Sequence, residues 1–229
     1  AARALSAWPE LEALAGKLLG QWPERAKGIQ RMVWPQDGVT LTLHTGDIFE
    51  TLPQSRFEAA AWFLDGFSPA KNADMWDPSL WPMVKTRCRN GTILATFTVA
   101  GFVRRGLQDA GFTVKKTEGF GRKRERLEVQ LPDAPPPGAD IYGLRGPANR
   151  PDRIRIVGAG IAGTALARTF LDRGVEVEVL EAGSRPAQAA SGNPLALVMP
   201  RLDAGDTVQA RLLIDAYLGA RAFYRGREG

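Results

Sequence analysis

Cysteine and histidine are almost absent from this 229-residue chain, which carries one of each, Cys88 and His44. One cysteine excludes a disulfide within the chain, and one histidine beside it excludes a Cys/His zinc cluster. No metal is expected, and the scarcity of thiols suits a reducing cytoplasm. Long apolar runs are missing too. None approaches the roughly 20 residues that a membrane helix needs, so no membrane partner is expected. The chain opens Ala1-Ala2-Arg3-Ala4-Leu5, without the architecture of a signal peptide. What is present is ordinary for a globular chain of one or two domains: 44% hydrophobic and 24% charged residues.

The net charge is +5, from 30 basic and 25 acidic residues. Its distribution is uneven. Between Arg104 and Arg126 lie eight basic residues (Arg104, Arg105, Lys115, Lys116, Arg122, Lys123, Arg124 and Arg126) against Asp109, Glu118 and Glu125. Clustered cations beside a Gly-Phe-Gly turn form a candidate phosphate-contacting surface, because they displace counterions from a nucleic acid. A solvated charged hairpin is the plain alternative.

The chain breaks at 132–152. Pro132-Asp133-Ala134-Pro135-Pro136-Pro137-Gly138 continues neither a helix nor a central strand, since proline lacks the N–H and fixes φ. Three segments follow: 1–132, the linker 133–152, and 153–229. In the first, residues 11–19 read as a helix with Leu11, Leu14, Leu18 and Leu19 on one face. Residues 39–43 alternate as a strand. Residues 59–64 are continuously apolar, the pattern of a strand covered on both faces. A strand at 92–98, a helix at 102–110 and two strands at 113–116 and 127–131 complete an α/β sheet with an antiparallel edge. After the linker come a strand at 153–157, a helix ending at Asp172, and a strand at 175–180. Glu176 and Glu178 alternate with valines there, so one face of that strand must be wet or carry pairing partners.

Between strand and helix sits Gly158-Ala159-Gly160-Ile161-Ala162-Gly163. Gly158 permits the tight turn, Gly160 lets backbone approach a diphosphate, and Gly163 lets the helix pack on the strand. The helix N-terminus offers unpaired N–H groups to the phosphates. Glu181 closes the next strand near the expected spacing and can accept from ribose hydroxyls, which disfavours a 2′-phosphate. This fingerprint alone does not separate NAD from FAD.

Residues 154–163, Val179-Leu180-Glu181-Ala182 and Ala190-Ser191-Gly192-Asn193 resemble the D-amino-acid-oxidase-like FAD-dependent oxidoreductases. That resemblance implies FAD, oxidation of an amine C–N bond, and a place for Ser191 along the cofactor. The front half carries Asp65-Gly66-Phe67-Ser68-Pro69-Ala70-Lys71-Asn72-Ala73-Asp74-Met75-Trp76, Ala95-Thr96-Phe97-Thr98, Gly101 to Leu107, Ala110-Gly111-Phe112 and Gly119 to Glu125. With the back half it resembles the bifunctional tRNA 5-methylaminomethyl-2-thiouridine biosynthesis family, over about residues 8–205. The fold implied is a partial Rossmann-like S-adenosylmethionine methyltransferase sheet with an antiparallel edge, then a partial FAD-binding Rossmann-like βαβ unit.

The resemblance implies two reactions on the wobble uridine of tRNA. FAD-dependent oxidation converts 5-carboxymethylaminomethyl-2-thiouridine to the 5-aminomethyl form. Methylation from S-adenosylmethionine then yields the 5-methylaminomethyl form. Enzymes that install the carboxymethylaminomethyl group become functional partners. Asp65, closing the apolar strand at its C-terminal end, is the expected catalytic residue, because open α/β sheets bind ligands at that edge. Its carboxylate would orient the amine lone pair and take up a proton; orientation is expected to outweigh deprotonation. An aspartate capping the following turn is the plain alternative. Asp47 takes the family position near the adenine of S-adenosylmethionine, with an Asx-turn as its alternative. Ser68, Pro69 and Asn72 resemble the loop closing over substrate, while Lys71, Arg122, Lys123 and Arg124 are candidates for RNA. Trp76, beside the proposed site, is a candidate stacking residue. Cys88 reads as structural.

Two departures are expected to matter. The family's opening strand, Gly-rich loop and second strand do not precede Val39, and residues 153–229 are short for a whole flavoenzyme. The sequence therefore reads as a piece cut at both ends, inactive alone. Two other readings stay open: a free-standing amine oxidase acting on glycine-like molecules behind an unrelated basic module, and a non-catalytic RNA-binding module on a degenerate nucleotide fold.

Overall fold

The computed structural model describes residues 5–121, 124–136, 151–193, 197–200 and 205–225. The chain forms two compact units. One is continuous, Gly46–Arg145. The other joins Ala1–Thr45 to Gly146–Gly229, so residues 1–45, grouped by the sequence with the front segment, cluster with the back one.

In Gly46–Arg145 the elements run α2 (Ile48–Gln54), β3 (Ala59–Leu64), α3 (Leu80–Lys85), β4 (Cys88–Thr96), α4 (Gly101–Asp109), β5 (Thr113–Glu118) and β6 (Glu125–Gln130). The sheet order is β3-β4-β6-β5. β3 and β4 are parallel, while β6 runs antiparallel to both β4 and β5. That is the α/β sheet with an antiparallel edge that the sequence implies. Burial alternates over residues 92–96 of β4 and 126–130 of β6, where Thr92, Leu94, Thr96, Leu127 and Val129 are buried. Leu94, Leu127 and Val129 join Trp81 and Val84 of α3 and Val103 and Leu107 of α4 in one core. Each side chain follows from its period, two on a strand and 3.6 on a helix.

The expectation for residues 59–64 is corrected. β3 is an edge strand in this sheet, and among the described residues only one of its faces is covered. Phe63 is 81% exposed, and Ile93 of β4, opposite Ala61 on the same face, is 58% exposed. A continuously apolar run does not distinguish a strand sandwiched by helices from one with a bare face.

The other unit contains α1 (Glu12–Gly20), a hairpin of β1 (Gly28–Trp34) and β2 (Val39–Thr45), then β7 (Arg153–Val157), α5 (Ile161–Leu171), β8 (Glu176–Leu180) and α6 (Val208–Tyr224). α1 forms where leucine periodicity places it, but no residue in it is buried, and Leu11 and Leu14 are exposed. α6 lies along β1. The Asp215 carboxylate accepts from the Ile29 N–H at 3.2 Å, and Glu24 pairs with Arg225 at 2.9 Å. β7 and β8 are parallel neighbours joined through α5. The two glutamates of β8 find partners directly across the ladder: Arg155 reaches Glu178 at 2.6 Å, and Arg153 reaches Glu176 at 3.4 Å. Cross-strand pairing of opposite charges explains a wet face on a parallel strand. No described helix is long and apolar enough to cross a membrane.

The core of the Gly46–Arg145 unit is tight at one glycine. A Cβ on Gly106 of α4 would lie 2.3 Å from Trp81 Nε1, and Trp81 is fully buried. Gly106→Ala is expected to cost about 1–3 kcal/mol by overpacking. A lowered urea midpoint with an unchanged slope is the expected result; an unchanged midpoint contradicts this packing.

Candidate functional site

The first candidate lies where β3 and β4 end. Because they are parallel, their C-terminal ends share one edge of the sheet. Two buried threonines of β4 bind β3 to it: Thr92 Oγ1 donates to the Ala59 carbonyl at 2.6 Å and Thr96 Oγ1 to the Leu64 carbonyl at 2.9 Å. Asp65 follows Leu64 directly and is exposed. Its carboxylate has no hydrogen bond or ion pair with the described residues, so it does not cap the turn that follows.

The loop after Asp65 is held from within. Trp76 is 2% exposed, its indole N–H donates to the Phe67 carbonyl at 2.7 Å, and its ring packs on Trp81 and Phe97. A Cβ on Gly66 would lie 2.7 Å from the Met75 sulfur, so the chain leaves β3 against this tryptophan. Trp76 is thus a packing residue, and the stacking role considered for it is withdrawn. Asn72 is half-buried and its Oδ1 accepts from the Met75 N–H at 3.4 Å. Lys71 is exposed on the same turn.

Asp47 behaves differently. It is the N-cap of α2, and its Oδ1 accepts from the Phe49 N–H at 2.8 Å. This is the ordinary work of a capping aspartate. In the basic hairpin, Arg124 is exposed and its carbonyl closes the turn by accepting from the Gly119 N–H at 3.0 Å. Arg122 and Lys123 lie outside the described residues. The Cys88 thiol is buried and donates to the Val84 carbonyl at 3.3 Å; burial pushes its pKa up, against the lowering contacts of Trp62 and Thr92. A raised pKa and a buried position fit a structural thiol.

The second candidate is the turn from β7 into α5. Gly158 has φ +98° and donates its N–H to the Leu180 carbonyl at 2.7 Å. Gly160 is the N-cap of α5 and offers no side chain. A Cβ on Gly163 would sit 1.9 Å from the Gly158 carbonyl oxygen. Gly158 and Gly163 therefore answer to a backbone requirement of this turn.

Glu181 and Ser191 meet the same turn. Glu181 accepts from the Ala159 N–H at 2.7 Å and the Gly183 N–H at 3.0 Å. Ser191 Oγ accepts from the Ile161 N–H at 3.0 Å, and a Cβ on Gly160 would meet that hydroxyl at 3.0 Å. The irregular segment after β8 folds back to allow this, with the Ala187 N–H donating to the Ala159 carbonyl at 3.1 Å. Gly158, Gly160, Gly163, Glu181 and Ser191 thus form one cluster. It fits the adenine-dinucleotide half of FAD. The start of α5 is the kind of terminus that receives a diphosphate. Here the Ile161 N–H is held by the Ser191 hydroxyl, whose own proton remains to be donated. The Glu181 carboxylate, held by the Ala159 and Gly183 N–H groups, would have to turn its remaining lone pairs to a ribose. A separate concavity of about 480 Å³, lined by Val33, Trp34, Gly38, Leu171 and Arg173, contains none of these residues.

The backbone donors at Ala159, then Gly183, hold the Glu181 carboxyl below its usual range. A carboxyl with a lowered folded pKa stabilises the fold above its unfolded pKa, and loses that contribution as pH falls through the folded value. The stability gap between the native chain and Glu181→Gln should be constant above about pH 4.3 and shrink below it. Chemical denaturation at a series of pH values checks this; a gap that grows on acidification contradicts it.

Comparison with known proteins finds two families along the chain. Residues 9–132 match the sequence model of an S-adenosyl-L-methionine-dependent methyltransferase family, and residues 153–228 match that of the FAD dependent oxidoreductases. Curated relatives match nearly the whole chain. A protein of Maricaulis maris is 44% identical over 229 residues, covering 100% of this chain and 38% of its own length. One of Caulobacter vibrioides is 47% identical over 227 residues, covering 99% and 36%. One of Chromohalobacter salexigens is 45% identical over 223 residues, covering 96% and 32%. Each is called tRNA 5-methylaminomethyl-2-thiouridine biosynthesis bifunctional protein MnmC. This chain spans about a third of their length. The cofactors of the two matched families are S-adenosylmethionine and FAD, as expected from the sequence. With more than half of its residues in the first match, the chain belongs to the S-adenosyl-L-methionine-dependent methyltransferase family, and it runs on into a segment of FAD-dependent oxidoreductase type.

Proposed function

We propose that this chain is the middle of a longer bifunctional enzyme that completes the 5-methylaminomethyl-2-thiouridine of tRNA in two steps. Residues 1–132 belong to its methyltransferase module, 133–152 to the linker, and 153–229 to its flavin module. The observation that carries the reading is the pairing, in one chain, of a carboxylate without a partner among the described residues, at the C-terminal edge of a sheet, with a Gly-rich strand–turn–helix of the dinucleotide-binding type. The names of the relatives add the substrate.

In the flavin module, Gly160 and the start of α5 would hold the diphosphate, Ser191 would add a hydroxyl donor, and Glu181 would fix the ribose. Bound FAD would supply hydride acceptance, here from the C–H beside the nitrogen of the glycine-like carboxymethylaminomethyl arm, so that the C–N bond becomes a C=N bond whose two-carbon half leaves on hydrolysis as the oxo acid. Hydrolysis then leaves a primary amine on the uridine.

In the methyltransferase module, Asp65 accepts a hydrogen bond from that amine and turns its lone pair toward the methyl group. The S–CH₃ bond breaks as the N–CH₃ bond forms, and the amine proton leaves to Asp65 or through it to water. Holding donor and acceptor in line is the larger contribution, since it removes the entropy of bringing them together. An aspartate with no competing partner among the described residues is suited to this, because its hydrogen-bonding capacity is not spent on them. Asp47, committed to its helix, would act near the adenine only through its second oxygen. Lys71, Arg122, Lys123 and Arg124 are assigned to tRNA phosphates, and Asn72 to shaping the loop that covers the nucleotide. The enzyme is placed in the cytoplasm, downstream of the enzymes that install the carboxymethylaminomethyl group.

The test is nucleoside analysis of tRNA treated with the longer protein. Withholding S-adenosylmethionine should accumulate 5-aminomethyl-2-thiouridine. Asp65→Ala should give the same accumulation with the methyl donor present, with methylation slowed by about 10²–10⁴-fold. Undiminished methylation by Asp65→Ala removes the catalytic assignment, and oxidation of free glycine derivatives but not tRNA removes the substrate.

A further inference from the structure

β5 and β6 pair through Glu118 and Glu125, and Gly119, Phe120, Gly121 and Arg124 are the described residues of the turn between them. The tip is built by glycines: the Gly119 N–H closes it on the Arg124 carbonyl at 3.0 Å, and Gly121 takes φ +61°. Between them stands Phe120, 91% exposed, the most exposed of the large hydrophobic side chains among the described residues. Nothing in the turn requires an aromatic ring. The glycines supply the backbone conformation, and the ring has neither ring partner nor core neighbour among the described residues.

The surroundings of Phe120 indicate what covers it. Lys116 and Arg126 of the hairpin are paired, with Glu125 at 2.6 Å and Glu128 at 2.5 Å. Arg124 and Lys115 are exposed and have no ion pair among the described residues. The sequence adds Arg122 and Lys123 next to Phe120. The partner must therefore offer a flat apolar face and negative charge at close spacing. Single-stranded RNA does so in every nucleotide, since each base has a π-face and each linkage a phosphate.

We infer that Phe120 stacks on an unpaired RNA base while Arg124 engages the adjoining phosphate, making the hairpin tip a single-strand reader and not only a charged surface. This rests on the tRNA reading above and deepens it. Stacking and phosphate contact respond differently to salt, which separates the two residues. Stacking contributes affinity without releasing counterions, whereas each phosphate contact on a single strand adds about 0.7 to the slope of log Kd against log salt.

The experiment is fluorescence anisotropy of a labelled anticodon stem-loop RNA with the 229-residue chain, over a salt series. Phe120→Ala should weaken binding by about 5- to 150-fold, the range of one lost base stack, with the salt slope unchanged. Phe120→Trp should bind within about twofold of the native chain. Arg124→Ala should lower the slope by about 0.7. The unfolding midpoint should not move in Phe120→Ala, because the ring touches no core. Native affinity in Phe120→Ala beside weakened binding in Arg124→Ala overturns the stacking inference and leaves the tRNA reading standing. Native affinity in both removes the hairpin from the tRNA reading as well. A fallen unfolding midpoint in Phe120→Ala makes the ring structural, and binding of the hairpin to phosphatidylserine vesicles in place of the stem-loop makes the partner a membrane; either result overturns the inference.

Discussion

The flavin-side assignment depends on one close approach of backbone to backbone. α5 begins so near the end of β7 that position 163 has no room for a Cβ, which would lie 1.9 Å from the Gly158 carbonyl. That approach sets the start of the helix against the end of the strand. It also brings Glu181 onto Ala159 and Ser191 onto Ile161, because both partners are backbone donors of the same turn. A side chain at 163 would separate helix from strand and undo all of these contacts together.

The methyltransferase-type unit is organised by a softer constraint. Buried hydroxyls of Thr92 and Thr96 tie β4 to β3 and set the two strand ends level. Two aspartates follow two strands in this chain, and their surroundings separate them. Asp47 spends its carboxylate on the N-terminus of α2, whereas Asp65 has no hydrogen bond or ion pair among the described residues. A polar group that does no local work at a ligand-binding edge is available for chemistry, which is why Asp65 and not Asp47 carries the proposed transfer.

Much of this was legible in the sequence, for physical reasons. Glycines at 158 and 163 are read easily because each answers a steric demand of one short turn. The parallel β7 and β8 pair was legible as well, and its glutamates at 176 and 178 made sense once Arg153 and Arg155 stood opposite them. Other elements escaped. α2 and α3 contain Pro53 and Pro82, residues that read as breakers; Pro82 is tolerated in the first turn of a helix, where its missing N–H is not needed. β1 has no clean alternation and is specified by pairing with β2. Burial was the least legible property. Residues 59–64 and the leucines of α1 have the composition of covered elements, yet Phe63 and Leu14 face solvent. Trp76 shows the opposite failure: one tryptophan in a proposed ligand loop looked like a stacking platform and is part of the core.

The most direct measurement of the central claim is the flavin content of the longer protein carrying Gly163→Ala, read from visible absorbance after purification. The account predicts loss of bound flavin, while methyl transfer to tRNA already bearing the aminomethyl group persists. Stoichiometric flavin in that variant would show that the glycine turn does not hold the cofactor, and would contradict the account.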